Sequence, residues 1–453
     1  MKRIALLLVT IMLASTIYGC SGGTGNTPAN TQATSSGGND NKTGEPVEIV
    51  CMVQSSPEAQ FVKDVAKAYM AEPGNSNVTV TINELGRDNV VPRIQNQLFT
   101  RSAGVDFFFI TPALIGALAE GGVLEDLDSY FDKAEYKDNG FTKSLFTKGG
   151  IDSGSYNGAT YGLPFITSTM VLFYRTDLIK EPPQTWDEYL QVAKQFTKSL
   201  NPASPTPYGT TVMGKPQQDG INLIEYSQIA WSMGGELVGP NNDIQVNSPT
   251  DIEALDFWSG LYKQHLTPPD ATNFDYSSVL SAFQEQQVAM ALQWDAAAGT
   301  FADQQSSPKI YDKFAVAPIP GIKQADGSIL RKPYLNNWLA CMNKFSARKD
   351  ETFKFLSYLF DPEVFTKHLT PNMTTALNDV LSSDAFKQNK ESSHSYEAYK
   401  ASLESGRGYV ANKNLDKINS ILDAALNKTM VGDLTSKQAL DGAAEEIKNL
   451  GSK

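Results

Sequence analysis

The sequence predicts an α/β protein built from two domains, and three observations carry that expectation. At 453 residues the chain exceeds one ordinary core, since domains run about 100–200 residues each. From Glu45 onward, short apolar runs alternate with amphipathic stretches of helical period. Runs such as Val105-Asp106-Phe107-Phe108-Phe109-Ile110 are too apolar to keep a wet face, as strands buried in a parallel sheet are.

The first twenty residues are a targeting segment and not part of the fold. Lys2 and Arg3 precede an apolar run from Ile4 to about Leu13, which closes on Ile17-Tyr18-Gly19-Cys20. A basic start, a short apolar core and a small residue before the cut describe a secretory signal. The run is shorter than the ~20 apolar residues that a spanning helix needs. The cysteine at the cut resembles a bacterial lipobox, in which Cys20 becomes the lipid-modified N-terminus, although Tyr18 departs from the small residue usual there. The alternative is an ordinary signal with an incidental cysteine. Ser21–Gly44 is nearly all Gly, Ser, Thr, Asn and Gln, too polar to offset its ordering entropy. It reads as a tether of about 25–30 Å root-mean-square reach.

The globular elements follow in order. Val47–Val53 is a buried strand, and the turn Gln54-Ser55-Ser56-Pro57 opens a helix over Glu58–Met70 with Phe61, Val65 and Ala68 on one face. Asn77–Ile82 is a second strand, Asn89–Thr100 a helix, Val105–Ile110 a third strand, and Ala113–Glu120 a helix after Thr111-Pro112. This is a βαβαβ unit, and ligands on open α/β sheets collect at the carboxyl edge of the strands, here at Gln54 and Thr111. Helices are expected over Trp186–Lys198, Leu223–Met233, Pro249–His265, Ser277–Glu285 and Asp350–Phe360. Strands are expected over Val288–Leu292 and Trp338–Met342. From Lys413 the tail reads as helical throughout.

Charge and chemistry exclude several function classes. A formal net charge of −12 opposes contact with phosphate backbones and gives no polybasic grip on lipid, so nucleic acid is not a partner. Three histidines and three cysteines leave no Cys/His cluster for zinc. The chain has no G-x-S-x-G elbow, no H-E-x-x-H and no P-loop. No catalytic residue, metal or cofactor is expected. Cys51 and Cys341 lie in apolar runs, where a free cysteine packs as a small hydrophobe; a bridge between them requires that their strands adjoin.

The run Tyr156-Asn157-Gly158-Ala159-Thr160-Tyr161-Gly162-Leu163-Pro164-Phe165 continues to Phe173-Tyr174-Arg175-Thr176-Asp177-Leu178. Glu181-Pro182-Pro183-Gln184-Thr185-Trp186-Asp187-Glu188 follows. With Gly104–Leu127, Gly234-Gly235-Glu236-Leu237 and Phe283–Trp294, this resembles the extracellular sugar-binding proteins of ABC importers, the maltodextrin-binding-protein-like group. The resemblance covers about Val47 to Leu450. It implies a two-lobe periplasmic-binding-protein-like fold of type II, with ligand held between lobes joined by crossing strands. The implied domains are a lipoprotein signal at 1–20, a tether at 21–44, a first lobe from 45–163 and 338–372, and a second from 164–337 and 373–453. Crossings are expected at Tyr161–Phe165, at Tyr334–Cys341 and near Thr370–Ala376. The implied role is that of a monomeric lipoprotein on the outer face of the bacterial cell membrane, passing a carbohydrate to ABC permease subunits without chemistry.

The resemblance nominates Gln54, Ser55, Ser56 and Thr111 on the first lobe, and Thr167 and Ser168 past the first crossing. Gln293, Trp294 and Asp295 follow a second-lobe strand, Asn336, Asn337 and Trp338 lie on the second crossing, and Trp231 and Tyr409 match by region. Physical chemistry reaches a similar set. A pyranose needs a flat aromatic for its C–H face and amides or carboxylates for its hydroxyl rim. Each residue also has a plainer reading. A tryptophan after a strand packs a core, and Asn and Ser in loops form turns. Trp186 and Trp258 lie on amphipathic helices and read as core, and Asp106 reads as a backbone cap. Two further readings remain open: the same fold taking a polyamine, amino acid or anion, and a secreted hydrolase with paired carboxylates.

Overall fold

The computed structural model describes residues 45–216, 220–238, 243–370, 373–391 and 394–450. The expected signal segment, Cys20 and the expected tether lie outside them. Seven strands build the main sheet: β1 (Val47–Gln54), β2 (Val78–Leu85), β3 (Phe107–Ile110), β4 (Gly162–Arg175), β5 (Met290–Trp294), β6 (Phe314–Ala317) and β7 (Leu335–Met342). Their order is β2-β1-β3-β7-β4-β5, with β6 also on β4. β1 runs parallel to β2 and β3, as the βαβαβ pattern requires, while β7 is antiparallel to both β3 and β4.

β4 is the spine. Gly162–Thr169 pairs with β7, and Met170–Arg175 pairs with β5 and β6. Leu163, Phe165 and Ile166 belong to one apolar core, whereas Met170, Val171, Leu172 and Phe173 belong to another. The chain therefore passes between lobes over Ile166–Met170, just beyond the expected Tyr161–Phe165. The register explains the position. Ile166 faces Trp338 but Pro164 faces Leu339, so Phe165 is an extra residue and the ladder bulges there. Pro164 has no N–H to give to a ladder, and a bulge bends its strand. β7 crosses as expected, from Tyr334 in the second-lobe core to Ala340 and Met342 in the first.

The third crossing is a correction. Met373, Leu377, Val380, Phe386 and Tyr399 are buried in the first-lobe core with Phe61 and Phe165, so the chain does not leave that lobe near Thr370–Ala376. The helices Asp384–Glu391 and Tyr396–Ser405 place Phe386 and Tyr399 in that core, while Ala398 of the second helix touches the second-lobe core. The chain returns at 406–412 instead, where Leu335 N–H donates to Arg407 O and Arg407 N–H to Pro333 O. The expected lobe-2 segment 373–453 is thus split, with its first part in lobe 1. Just past this crossing the lobes touch: a Cβ on Gly116 would stand 2.5 Å from the Asn412 carbonyl carbon, so the contact accepts only glycine.

The first lobe buries both faces of its sheet. Cys51, Phe107 and Met342 lie on one side, and Phe108, Leu339 and Cys341 on the other with Val90, Ile94 and Leu98. Cys51 registers with Phe107 and Cys341 with Phe108, so alternation sends the two thiols to opposite faces. Both are free and buried, and burial pushes their thiols up from their ordinary range. The second lobe packs Trp186, Tyr189, Tyr226 and Trp258 with the tail helices Leu415–Val431 and Ser436–Leu450. The tail is not one helix: Gly432 takes φ +90°, the left-handed stop that glycine accepts. Asp106 caps backbone as read, taking Val50 N–H at 2.7 Å and the Ser346 hydroxyl at 2.6 Å.

Candidate functional site

Parallel register lines up the carboxyl edge of the first lobe. Cys51 pairs with Phe107, which sets Gln54 level with Ile110, and Ile110 pairs with Leu339 of β7. Gln54, Thr111 and Trp338 therefore sit on neighbouring strands, which are about 4.8 Å apart in a sheet. Gln54, Thr111 and Trp338 are half-buried. Thr111 and Ser56 hold the N-cap positions of their helices, yet neither side chain caps, which leaves two hydroxyls at this edge. Ser55 is exposed and donates to Glu84 at 2.6 Å.

Alternation divides the candidates on the crossing strands. Ser168 faces Asn336, Ile166 faces Trp338, and Met170 faces Trp294, so Ser168, Asn336, Trp338 and Trp294 share a face. All four are half-buried. Thr167, Asn337 and Gln293 fall on the other face and are fully buried, and so is Asp295 at the strand end. The Thr167 hydroxyl donates to Asn337 Oδ1 at 2.6 Å. Gln293 donates to Tyr276 O at 2.9 Å and accepts the Trp294 N–H at 2.9 Å. Asp295 accepts the Thr169 N–H at 3.1 Å and pairs with the buried Lys390 ammonium at 2.8 Å. The structure thus gives Thr167, Gln293 and Asp295 internal partners.

The half-buried face runs on into an aromatic cluster. Trp294 meets Tyr334 edge-on at 6.2 Å, Trp231 stacks on Tyr334 at 6.2 Å, and Tyr409 lies 5.0 Å from Tyr334 and 5.5 Å from Trp231. The Arg407 guanidinium covers Trp231 at 4.9 Å and holds Glu236 with two hydrogen bonds of 2.6 and 3.2 Å. Ser227 bonds the Tyr409 hydroxyl at 3.0 Å. Trp231 and Tyr409, matched only by region in the sequence, thus pack beside Trp294. Trp186 and Trp258 are core, as read.

Three neutral polar atoms around this region are buried with no partner among the described residues: Gln228 Oε1 and Trp231 Nε1 beside the shared face, and Asn337 Nδ2 on the buried opposite face. A buried polar group left unmatched costs about 1–3 kcal/mol. Gln228 sits next to the shared face, its other amide atom 3.4 Å from Met170 Sδ. The set holds one acceptor and two donors, all uncharged. The charges nearby are matched within the protein, Glu236 by Arg407 and Asp295 by Lys390. Among the described residues no group of His, Cys, Asp and Glu is placed to hold a metal ion.

Residues 54–364 match the family of bacterial extracellular solute-binding proteins. The chain belongs to that family. Among its relatives are a putative binding protein of Brucella abortus, 24% identical over 70% of this chain and 72% of the relative, and the maltotriose-binding protein of Pyrococcus abyssi, 26% identical over 71% and 65%. Solved structures give the same two-lobed fold. The maltose-bound MalE3 of T. maritima has a TM-score of 0.71 at 20% identity, covering 89% of this chain and all (100%) of that one. A ribitol-bound binding protein from Agrobacterium radiobacter has a TM-score of 0.73 at 19% identity, covering 90% and 99%.

Sequence reasoning missed four groups of this solute-binding protein: Gln228, Glu236, Tyr334 and Arg407. Glu236 lies in the quoted Gly234–Leu237 motif and Tyr334 begins the expected second crossing, so position alone offered a signal. Gln228 sits on a helix, Ile221–Ser232, that is buried on every side. A glutamine on an apolar helix was the available clue. Arg407 lies on a crossing placed elsewhere by the sequence.

Proposed function

We propose that this protein captures a neutral sugar or sugar alcohol between its lobes and hands it, unaltered, to an ABC permease. The carrying observation is the pairing-off of charge: the orphaned atoms are an indole, a carboxamide N–H and a carboxamide oxygen, while the neighbouring ions are matched. A hydroxyl both donates and accepts, so a polyol satisfies both the Gln228 oxygen and the Trp231 N–H where a fixed ion cannot. The maltotriose, maltose and ribitol named for the relatives above are of this class. Lipid modification at Cys20 would hold the protein at the outer face of the membrane, the tether giving it reach. Gln54, Ser56 and Thr111 contact the ligand from lobe 1, and Trp231, Gln228 and Trp294 from lobe 2. Contacts to both lobes bias the closed arrangement, the state a permease distinguishes.

A thermal-shift screen with maltose, maltotriose, ribitol and mannitol tests this. A ligand at 100 times its dissociation constant adds about 2.7 kcal/mol, and the bound sugar should be recovered intact. Stabilisation by an amino acid or inorganic anion in place of every polyol, or cleavage of the sugar, overturns the reading.

A further inference from the structure

The helix Ile221–Ser232, which carries Gln228 and Trp231, is closed so that Glu236 comes back beside Trp231. Gly234 takes φ +92° and donates its N–H to Trp231 O at 3.1 Å, while Gly235 N–H donates to Ala230 O at 2.8 Å. These are the two bonds of a Schellman close. A buried carboxylate then seats the turn. Asp251 is fully buried, its carboxylate receives the Glu236 N–H, and a Cβ on Gly235 would collide with Asp251 Oδ1. The Glu236 backbone is thereby fixed before its side chain meets Arg407.

Arg407 is fixed as firmly. Its carbonyl accepts Leu335 N–H at 2.9 Å and its N–H donates to Pro333 O at 3.0 Å, which sets it level with Tyr334 on the second crossing. Its guanidinium lies over Trp231 at 4.9 Å, beside the orphaned indole N–H. At 3% exposure Trp231 keeps no open face for a sugar, so a solute reaches it at the edge, next to that cation. A guanidinium fork matches a carboxylate with two parallel hydrogen bonds. Glu236 already fills the fork, with bonds of 2.6 and 3.2 Å. Both side chains remain partly open to solvent, at 32% for Arg407 and 24% for Glu236.

We propose that Glu236 sets the solute selectivity of the inter-lobe site: by occupying the Arg407 fork with a carboxylate of the protein's own, it turns away sugar acids and admits their neutral counterparts. The proposal rests on the sugar reading above and names the residue that enforces it.

Calorimetric titration of the full chain with matched pairs tests this, each pair carrying CH2OH in one member and carboxylate in the other: ribitol with ribonate, mannitol with mannonate, maltitol with maltobionate. The wild-type chain should bind the neutral member more tightly. Glu236→Gln keeps the shape and frees the cation, so the ratio should move about tenfold toward the acid, the low end for a hydrogen bond to a charged group. Added salt should shrink that gain, and Glu236→Gln with Arg407→Gln should abolish it. A purely structural role for Glu236 predicts equal losses for both members of a pair. Wild-type affinity equal for acid and neutral overturns the proposal, whatever the variants do. So does a ratio unmoved in Glu236→Gln while the neutral polyol still binds, or a gain that survives Arg407→Gln; these outcomes leave the sugar reading standing. A wild-type chain that binds none of the neutral polyols sinks the sugar reading and the selectivity role together.

Discussion

Removing the Asp295 carboxylate separates an internal role from a ligand contact at the end of β5. Asp295 and Lys390 lie 2.8 Å apart with side-chain exposures of 0% and 1%. The pair joins a second-lobe strand end to the helix Asp384–Glu391, whose Phe386 packs in the first-lobe core. Asp295→Ala takes the carboxylate away from that buried ammonium, and breaking a buried pair costs about 3–5 kcal/mol. With an unfolding entropy of about 2.1 cal/mol/K per residue over roughly 400 ordered residues, Tm falls by about 4–6 °C. Asp295→Leu combined with Lys390→Met keeps the volume and the packing over Tyr399, whose ring is 4.8 Å from the ammonium, and should recover most of the loss. Urea unfolding followed by tryptophan fluorescence measures both variants, with the m-value checked for constancy. Asp295→Asn should leave polyol affinity within about twofold, a change below 0.5 kcal/mol. A loss under about 1 kcal/mol in Asp295→Ala, or intact stability with abolished binding in Asp295→Asn, refutes the internal assignment and returns Asp295 to the ligand.

Trp294→Ala removes a platform that covers about 60 Å² of a sugar face, worth roughly 1.5 kcal/mol or about tenfold in Kd; calorimetry against the best polyol reads it, with little change in unliganded Tm. Gln228→Met keeps the shape and deletes the orphaned oxygen, so unliganded stability should hold or rise while polyol affinity drops about tenfold, as for one lost hydrogen bond; unchanged affinity removes Gln228 from the site. Glu225 is fully buried and burial raises its carboxyl to about 7, against partial relief from the Met213 N–H at 2.6 Å. A raised acid binds more protons folded than unfolded, so stability is greatest at low pH and is lost as pH climbs toward and through 7. From pH 5 to pH 8 this group should cost about 2–3 kcal/mol. Chemical denaturation at both pH values should show that loss in the native protein and a flatter response in Glu225→Gln.

The sequence by itself determined the α/β class, the βαβαβ order of the first lobe, the family motifs around Tyr161–Leu178 and the residue types of a polyol site, because apolar period and turn chemistry are local. Two things were settled only in three dimensions. Trp294 and Asp295 are neighbours at one strand end, and nothing local says which turns inward; a lysine 95 positions later in the chain fills that role for Asp295. Likewise the helices after Asn378 are amphipathic in either lobe, and their place was decided by which core had room for Phe386 and Tyr399. Partner choice across long sequence separations is a property of packing, and one-dimensional periodicity carries no record of it.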